Sequence, residues 1–168
     1  MRLVCSYCRK ELGTKPPLND GGVTHGMCKP CGEYFGAQWK GMSFGAYLER
    51  FLFPVVLFDA DVRVVAMNTP AGAVLGREPG SVVGLLGGEA LECVHARLPG
   101  GCGKTVHCLT CAVRRAVVET HQTGKPLNGV EATLRRAGGP VRLRLSTVLE
   151  GKLVRVTVKP GTDEPRGA

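Results

Sequence analysis

Phe53-Pro54-Val55-Val56-Leu57-Phe58-Asp59-Ala60-Asp61-Val62-Arg63-Val64-Val65-Ala66-Met67-Asn68 places two apolar, β-branched runs on either side of the polar turn Asp59-Ala60-Asp61. Runs of this length bounded by turn residues read as an antiparallel hairpin. Beyond it, Ala71 to Leu75 reads as a short helix and Gly76 to Gly88, with five glycines, as a loop. Cys111 to His121 is helical by its spacing, with Ala112, Val113, Ala116 and Val117 available for a buried side and Gly124-Lys125-Pro126 to end it. Three strands follow, in which Val130, Ala132 and Leu134, then Val141, Leu143 and Leu145, then Val154, Val156 and Val158 alternate with polar residues. One face of that sheet is expected to be apolar and the other basic, through Arg135, Arg142, Arg144 and Arg155.

Upstream of the hairpin, Phe44, Tyr47, Leu48, Phe51 and Leu52 fall at i, i+3, i+4, i+7 and i+8, with Ser43 suited to the N-cap. This spacing predicts a short amphipathic connecting helix over Met42–Phe53 that packs on its own domain. Residues 1–41 are rich in Gly, Pro and Cys and hold no apolar run long enough for a core, so they are expected to need a metal to fold. The organisation expected is a zinc-binding segment over 1–41, the helix over 42–53, one α+β domain over 54–160 and a flexible tail over 161–168.

Two strands, short helices, one longer helix and three antiparallel strands follow the order of the PAS fold. The stretch from Phe53 to Asn68 resembles the opening hairpin of PAS domains, including its terminal Asn, and the resemblance covers about residues 43–160. It implies a five-stranded antiparallel sheet with short helices and a sensory role. The chain departs from that pattern between Leu91 and Cys111, where many PAS domains have helices lining a ligand pocket and this one has cysteines.

The eight cysteines fall into two quartets, four within the first 31 residues and four from Cys93 to Cys111. A cytoplasmic chain keeps its thiols reduced, so metal ligation or redox chemistry explains them better than disulfides. Cys5-Ser6-Tyr7-Cys8 and Cys28-Lys29-Pro30-Cys31 are two CxxC knuckles 19 residues apart, the spacing of a four-cysteine zinc site. His25 is a fifth candidate, assigned a supporting or capping role because four thiolates already complete a tetrahedron. The wording Val4-Cys5-Ser6-Tyr7-Cys8-Arg9-Lys10 with Val23-Thr24-His25-Gly26-Met27-Cys28-Lys29-Pro30-Cys31 resembles a cysteine motif at the ends of bacterial two-component sensor and regulator proteins. There the intervening loop is longer.

Cys93, Cys102, Cys108 and Cys111 are spaced C-x8-C-x5-C-x2-C, which suits either Zn2+ or an iron–sulfur cluster, and spacing alone does not choose. The four are expected to converge on one centre. Gly100-Gly101-Cys102-Gly103 offers unhindered backbone amides, and Cys111 stands at a helix start whose dipole favours thiolate. Glu92-Cys93-Val94-His95-Ala96, Gly100-Gly101-Cys102-Gly103 and His107-Cys108-Leu109-Thr110-Cys111-Ala112-Val113-Arg114-Arg115 together resemble a cysteine-rich variety of PAS domain from environmental bacterial sensors. That resemblance implies a metal or cluster site. Buried free thiols, and haem on His95, His107 or His121, are the competing readings.

Residues 1–96 balance 9 Lys+Arg against 9 Asp+Glu, whereas 97–168 carry 13 against 5. Four thiolates around a divalent ion leave a net charge of −2, so two filled sites lower the formal +8 by four and weaken a nucleic-acid reading based on charge. No catalytic triad, paired carboxylates or complete phosphate loop is evident, since Leu98 stands where Gly101-Cys102-Gly103-Lys104-Thr105 would need the first P-loop glycine. The longest apolar run, Phe51 to Phe58, is broken by Pro54 and too short to span a bilayer. The expectation is therefore a non-catalytic cytoplasmic module of bacterial signal transduction. A protein partner, such as a histidine kinase or regulator, receives its signal, and a homodimer is left open. The alternative is a zinc-dependent, nucleic-acid-binding transcriptional regulator.

Overall fold

A computed structural model describes residues 1–5, 9–16, 21–32 and 43–161, without the side chain of His25. Cys8, residues 162–168 of the tail expected over 161–168, and part of the expected zinc-binding segment lie outside the described residues. The chain divides into two units, Met1–Tyr47 and Leu48–Ala168.

In the first unit, β1 (Arg2–Cys5), β2 (Glu11–Thr14) and β3 (Val23–Gly26) form a sheet in the order β2-β1-β3. β1 runs antiparallel to β2 and parallel to β3. Four-residue strands are too short to show a period. Among the described residues of this unit, the buried apolar side chains are Cys5, Cys28 and Cys31. The cysteines themselves occupy its interior.

The connecting helix is shorter than its apolar spacing suggests. Helix α1 covers Phe44–Leu48 only, and Leu52, expected on its buried face, is 95% exposed. Pro54 disfavours a helical Phe53. Asn68 supplies a stronger cause, because its side-chain amide Nδ2 donates to the carbonyls of Leu48, Phe51 and Phe53 at 2.9–3.2 Å and so satisfies oxygens that a continued helix would use differently.

The second unit is a five-stranded antiparallel sheet ordered β5-β4-β8-β7-β6. Its opening hairpin is β4 (Val55–Phe58) and β5 (Val64–Met67). Asp59 Oδ1 accepts from the backbone N–H groups of Asp61 and Arg63, both at 2.9 Å, which fixes the turn between them. Val62 closes the turn in the left-handed region (φ 62), a strained place for a β-branched residue, and is nevertheless buried. The exposed edge of β5 is covered by the stretch from Gly84 to Gly87, whose backbone exchanges hydrogen bonds with Val62 and Val64.

Helix α2 (Thr69–Leu75) follows, capped by Asn68, whose Oδ1 accepts from Ala71 N at 3.0 Å. The loop-like stretch then contains a 3-10 turn, Pro79–Val82, and leads into the short helix α3 (Gly87–Ala90). Two more 3-10 turns, Val94–Arg97 and Val106–Thr110, carry the cysteine-bearing region to α4 (Ala112–Thr123). Val113, Ala116, Val117 and Thr120 form the buried side of α4, at i, i+3, i+4 and i+7. Gly124 ends it with φ 71. Thr120 and Thr147 share a buried hydroxyl hydrogen bond of 2.5 Å that joins α4 to the sheet.

Strands β6 (Leu127–Arg136), β7 (Gly139–Glu150) and β8 (Leu153–Pro160) complete the sheet. Ala132, Leu134, Leu143, Leu145, Val154, Val156 and Val158 face the core. The opposite face is less uniformly basic than its sequence suggests. Arg155 pairs with Glu150 at 2.5 Å and lies 4.7 Å from the Phe51 ring centre, while Arg144 lies 3.6 Å from Glu131. No helix among the described residues is long and apolar enough to cross a membrane.

Candidate functional site

In the first unit, β1 ends on Cys5, and β3 leads to Cys28, which precedes a helical turn holding Cys31. The three sulfurs lie within 4.8 Å of one another and all three residues are buried. Cys28 N donates to Cys5 Sγ at 3.4 Å. Around Cys5 the chain folds tightly, with Cys5 N donating to Lys10 O at 2.8 Å and Arg9 N to Cys5 O at 3.0 Å, and Arg9 adopts φ 63. This group can hold a metal ion. Three of the four expected ligands are thus together; Cys8 and the side chain of His25 are outside the described residues.

The second quartet draws each thiol from a different piece of structure. Cys93 precedes the first 3-10 turn, Cys102 sits in the glycine-rich loop, Cys108 lies in the second turn and Cys111 immediately precedes α4. All four line one cavity of about 430 Å³, with Val62, Leu91, Val113, Ala132 and Leu134 among its apolar walls. Among the described residues, no three of these sulfurs and the neighbouring imidazole nitrogens lie within 4.8 Å of one another.

Two sulfurs are held by backbone amides: Gly88 N donates to Cys102 Sγ at 3.2 Å and Gly103 N to Cys108 Sγ at 3.0 Å, with Thr105 Oγ1 also 3.2 Å from Cys108 Sγ. A Cβ on Gly88 would stand 2.7 Å from Cys102 Sγ, so only glycine lets that sulfur approach. Gly103 (φ +90) leaves room for the Arg114 guanidinium, which also borders the cavity.

These surroundings treat the thiols unequally. Burial pushes the Cys102 thiol above its ordinary value, opposed by the Gly88 amide and reinforced by Cys108 and Cys111. Burial also acts to raise Cys108, but the Thr105 hydroxyl, the Gly103 and Thr105 amides and the Arg114 charge together outweigh it and hold that thiol below its ordinary value. His95 and His107 stack with ring centres 3.8 Å apart at the same cavity. Burial, then His107 and Arg135, hold His95 below the usual imidazole range.

No family model and no curated protein matches the chain. Among solved structures, a LOV protein from Rhodobacter sphaeroides superposes with a TM-score of 0.53 at 17% identity, covering 76% of this chain and 70% of that one. The photoactive yellow protein domain of the sensor histidine kinase Ppr from Rhodospirillum centenum gives 0.49 at 15% identity, covering 73% and 97%. The PAS domain of nitrogen regulation protein NR(II) from Vibrio parahaemolyticus gives 0.46 at 14% identity, covering 69% and 95%.

The second unit has a PAS-like fold. Within it, the cysteine cavity lies between the α3-to-α4 region and β6. Glu92 braces that region. Its backbone is left-handed (φ 57), and its carboxylate is gripped by Arg136 at the end of β6 and by Arg77 at 2.9 Å, which hold it below the usual carboxylate range. Cys93 is therefore tied on one side to the sheet.

Sequence reasoning named all four thiols of this site but not Gly88, Thr105, Arg114 or Glu92 as their supports. Two of these had a readable signal. Arg114 is three residues past Cys111, on the same side of a helical turn, and Thr105 is three residues before Cys108, the span of a local hydroxyl contact. Gly88 and Glu92 act through chain segments that meet only on folding.

Proposed function

We propose that this chain is a non-catalytic signal-sensing and protein-interaction module of bacterial two-component or related signal transduction. Its PAS-like domain carries a metal centre on Cys93, Cys102, Cys108 and Cys111, with zinc or an iron–sulfur cluster as the group held. The first unit binds zinc through Cys5, Cys8, Cys28 and Cys31. The observation that carries the reading is the placement of four reduced thiols around one cavity against the sheet of a PAS-like fold. Thiols meant only for packing have no need of amide donors on their sulfurs, an arginine beside them and a glycine opened for one of them.

The output in this reading is contact with a protein partner, such as a histidine kinase or regulator. Reduced thiols suit a cytoplasmic setting. A change at the second centre reaches the sheet through Glu92–Arg136 and through α4, which is preceded by Cys111 as its N-cap residue and bonds to β7 at Thr120–Thr147. The test is metal analysis of the full anaerobic protein and of Cys93→Ala, with hydrogen exchange on both. The variant should lose one complete centre and exchange faster in α4 and β6, while the first unit is unchanged. Equal metal content in parent and variant overturns the reading.

A further inference from the structure

The same cavity narrows the choice of group. Resting on the reading of Cys93, Cys102, Cys108 and Cys111 as one metal centre, we infer that the four hold a polynuclear iron–sulfur cluster and not a single zinc ion.

The argument is one of size. Zinc–sulfur bonds of about 2.3 Å at tetrahedral angles place four sulfurs about 3.8 Å apart, with nothing between them but the ion. The first cysteine group meets that requirement, its three described sulfurs lying within 4.8 Å of one another. In the second site no three ligand atoms do so, and about 430 Å³ remains open between the residues that line it. A cluster puts several irons and bridging sulfides between its thiolates and holds them correspondingly further apart.

Two of these thiols are also held in place by donors on their sulfurs. Cys102 Sγ accepts from Gly88 N and stands where a Cβ on that glycine would lie; Cys108 Sγ accepts from Gly103 N and lies 3.2 Å from Thr105 Oγ1. Cys111 immediately precedes the packed helix α4, and Cys93 follows Glu92, whose carboxylate pairs with Arg77 and Arg136. Amide N–H groups on sulfur and the nearby Arg114 charge also offset the negative charge of a thiolate-bound cluster. On ligation each thiol releases its proton to solvent and its sulfur bonds to iron; the protein gains or loses no electrons.

The experiment is to purify the full chain anaerobically and measure iron, acid-labile sulfide and zinc per chain, before and after treatment with ferric iron, sulfide and dithiothreitol, the thiol acting as reductant. The parent should hold one zinc, together with iron and sulfide in equal amounts and a brown colour that bleaches in air. Cys108→Ala should lose the iron and sulfide and keep the zinc. Mössbauer spectra of cells grown on isotopically enriched iron read the answer from the parent alone should the variant fail to fold. Two zincs per chain with no cluster after treatment overturn the inference and leave the metal-centre reading standing. A single zinc with neither iron nor sulfide after treatment overturns both, as does an organic ligand filling the cavity.

Discussion

Both cysteine groups have the ligand count for one metal centre, yet they are built in opposite ways. In Met1–Tyr47 the described cysteines are the buried interior, packed sulfur to sulfur under three very short strands. In Leu48–Ala168 the thiols sit beside a core that exists without them, from Val56 and Phe58 through Val117 to Val156. Where the thiols are the core, metal binding is folding. Where they line a cavity beside a finished core, a group held there can change while the fold survives.

The sharpest way to break that contrast is to remove one ligand from the first group. Cys28→Ala should abolish a site whose binding free energy, about 10 kcal/mol or more for structural zinc, stands in for a missing core. Hydrogen exchange should then show Met1–Tyr47 unprotected and Leu48–Ala168 unchanged. Equal protection of the first unit in parent and variant would show that it folds without its metal.

The converse test removes a polar support from the second unit. Asn68 is fully buried, accepts from Val55 N and Ala71 N, and donates to three carbonyls. Asn68→Ala leaves these groups unpaired and should cost about 3–5 kcal/mol. In a unit of this size that corresponds to a fall in Tm of roughly 10–20 °C. Zinc bound to the first group should not change. A Tm within experimental error of the parent would mean that Asn68 is not the brace the hydrogen bonds describe.

A subtler change tests the second centre without touching a ligand. Gly88→Ala puts a methyl where Cys102 Sγ lies, and should weaken metal retention at the second group by about 10–100-fold, the usual effect of disturbing a ligand's support. Competition with a graded chelator series measures it. Retention equal to the parent would show that the sulfur does not depend on that glycine.

The smallest effect is expected on the outer face of the sheet. Arg142→Ala with Arg144→Ala should change stability by no more than about 0.5 kcal/mol per site. Binding to duplex or single-stranded DNA should be weak, salt-dependent and indifferent to sequence in parent and variant alike. Tight, sequence-selective binding by the parent that the double variant loses would restore the nucleic-acid reading and give the sheet face the function assigned here to the cavity.

Legibility followed the range of the interactions. The Val55–Met67 hairpin, α4 and the three last strands announce themselves because alternation and helical spacing are local, and each burial pattern repeats what its residues require. The helix expected to reach Phe53 stops at Leu48, where Asn68, far along the chain, takes the carbonyls at its end. The N-terminal strands escaped notice for the opposite reason, being too short to carry a pattern at all.

The amino-acid sequence alone determined that there are two groups of four thiols, that the first has the spacing of paired knuckles, and that a hairpin and three alternating strands would make a sheet with one apolar face. These are properties of residue type and of near neighbours. Only the tertiary structure decided that three thiols of the first group meet and that the four of the second line one cavity, because Gly88, Glu92, Cys102 and Arg136 belong to segments that approach one another only once the sheet and α4 have packed. Ligand count is written along the chain, whereas the volume the ligands enclose is set by the backbone that holds them.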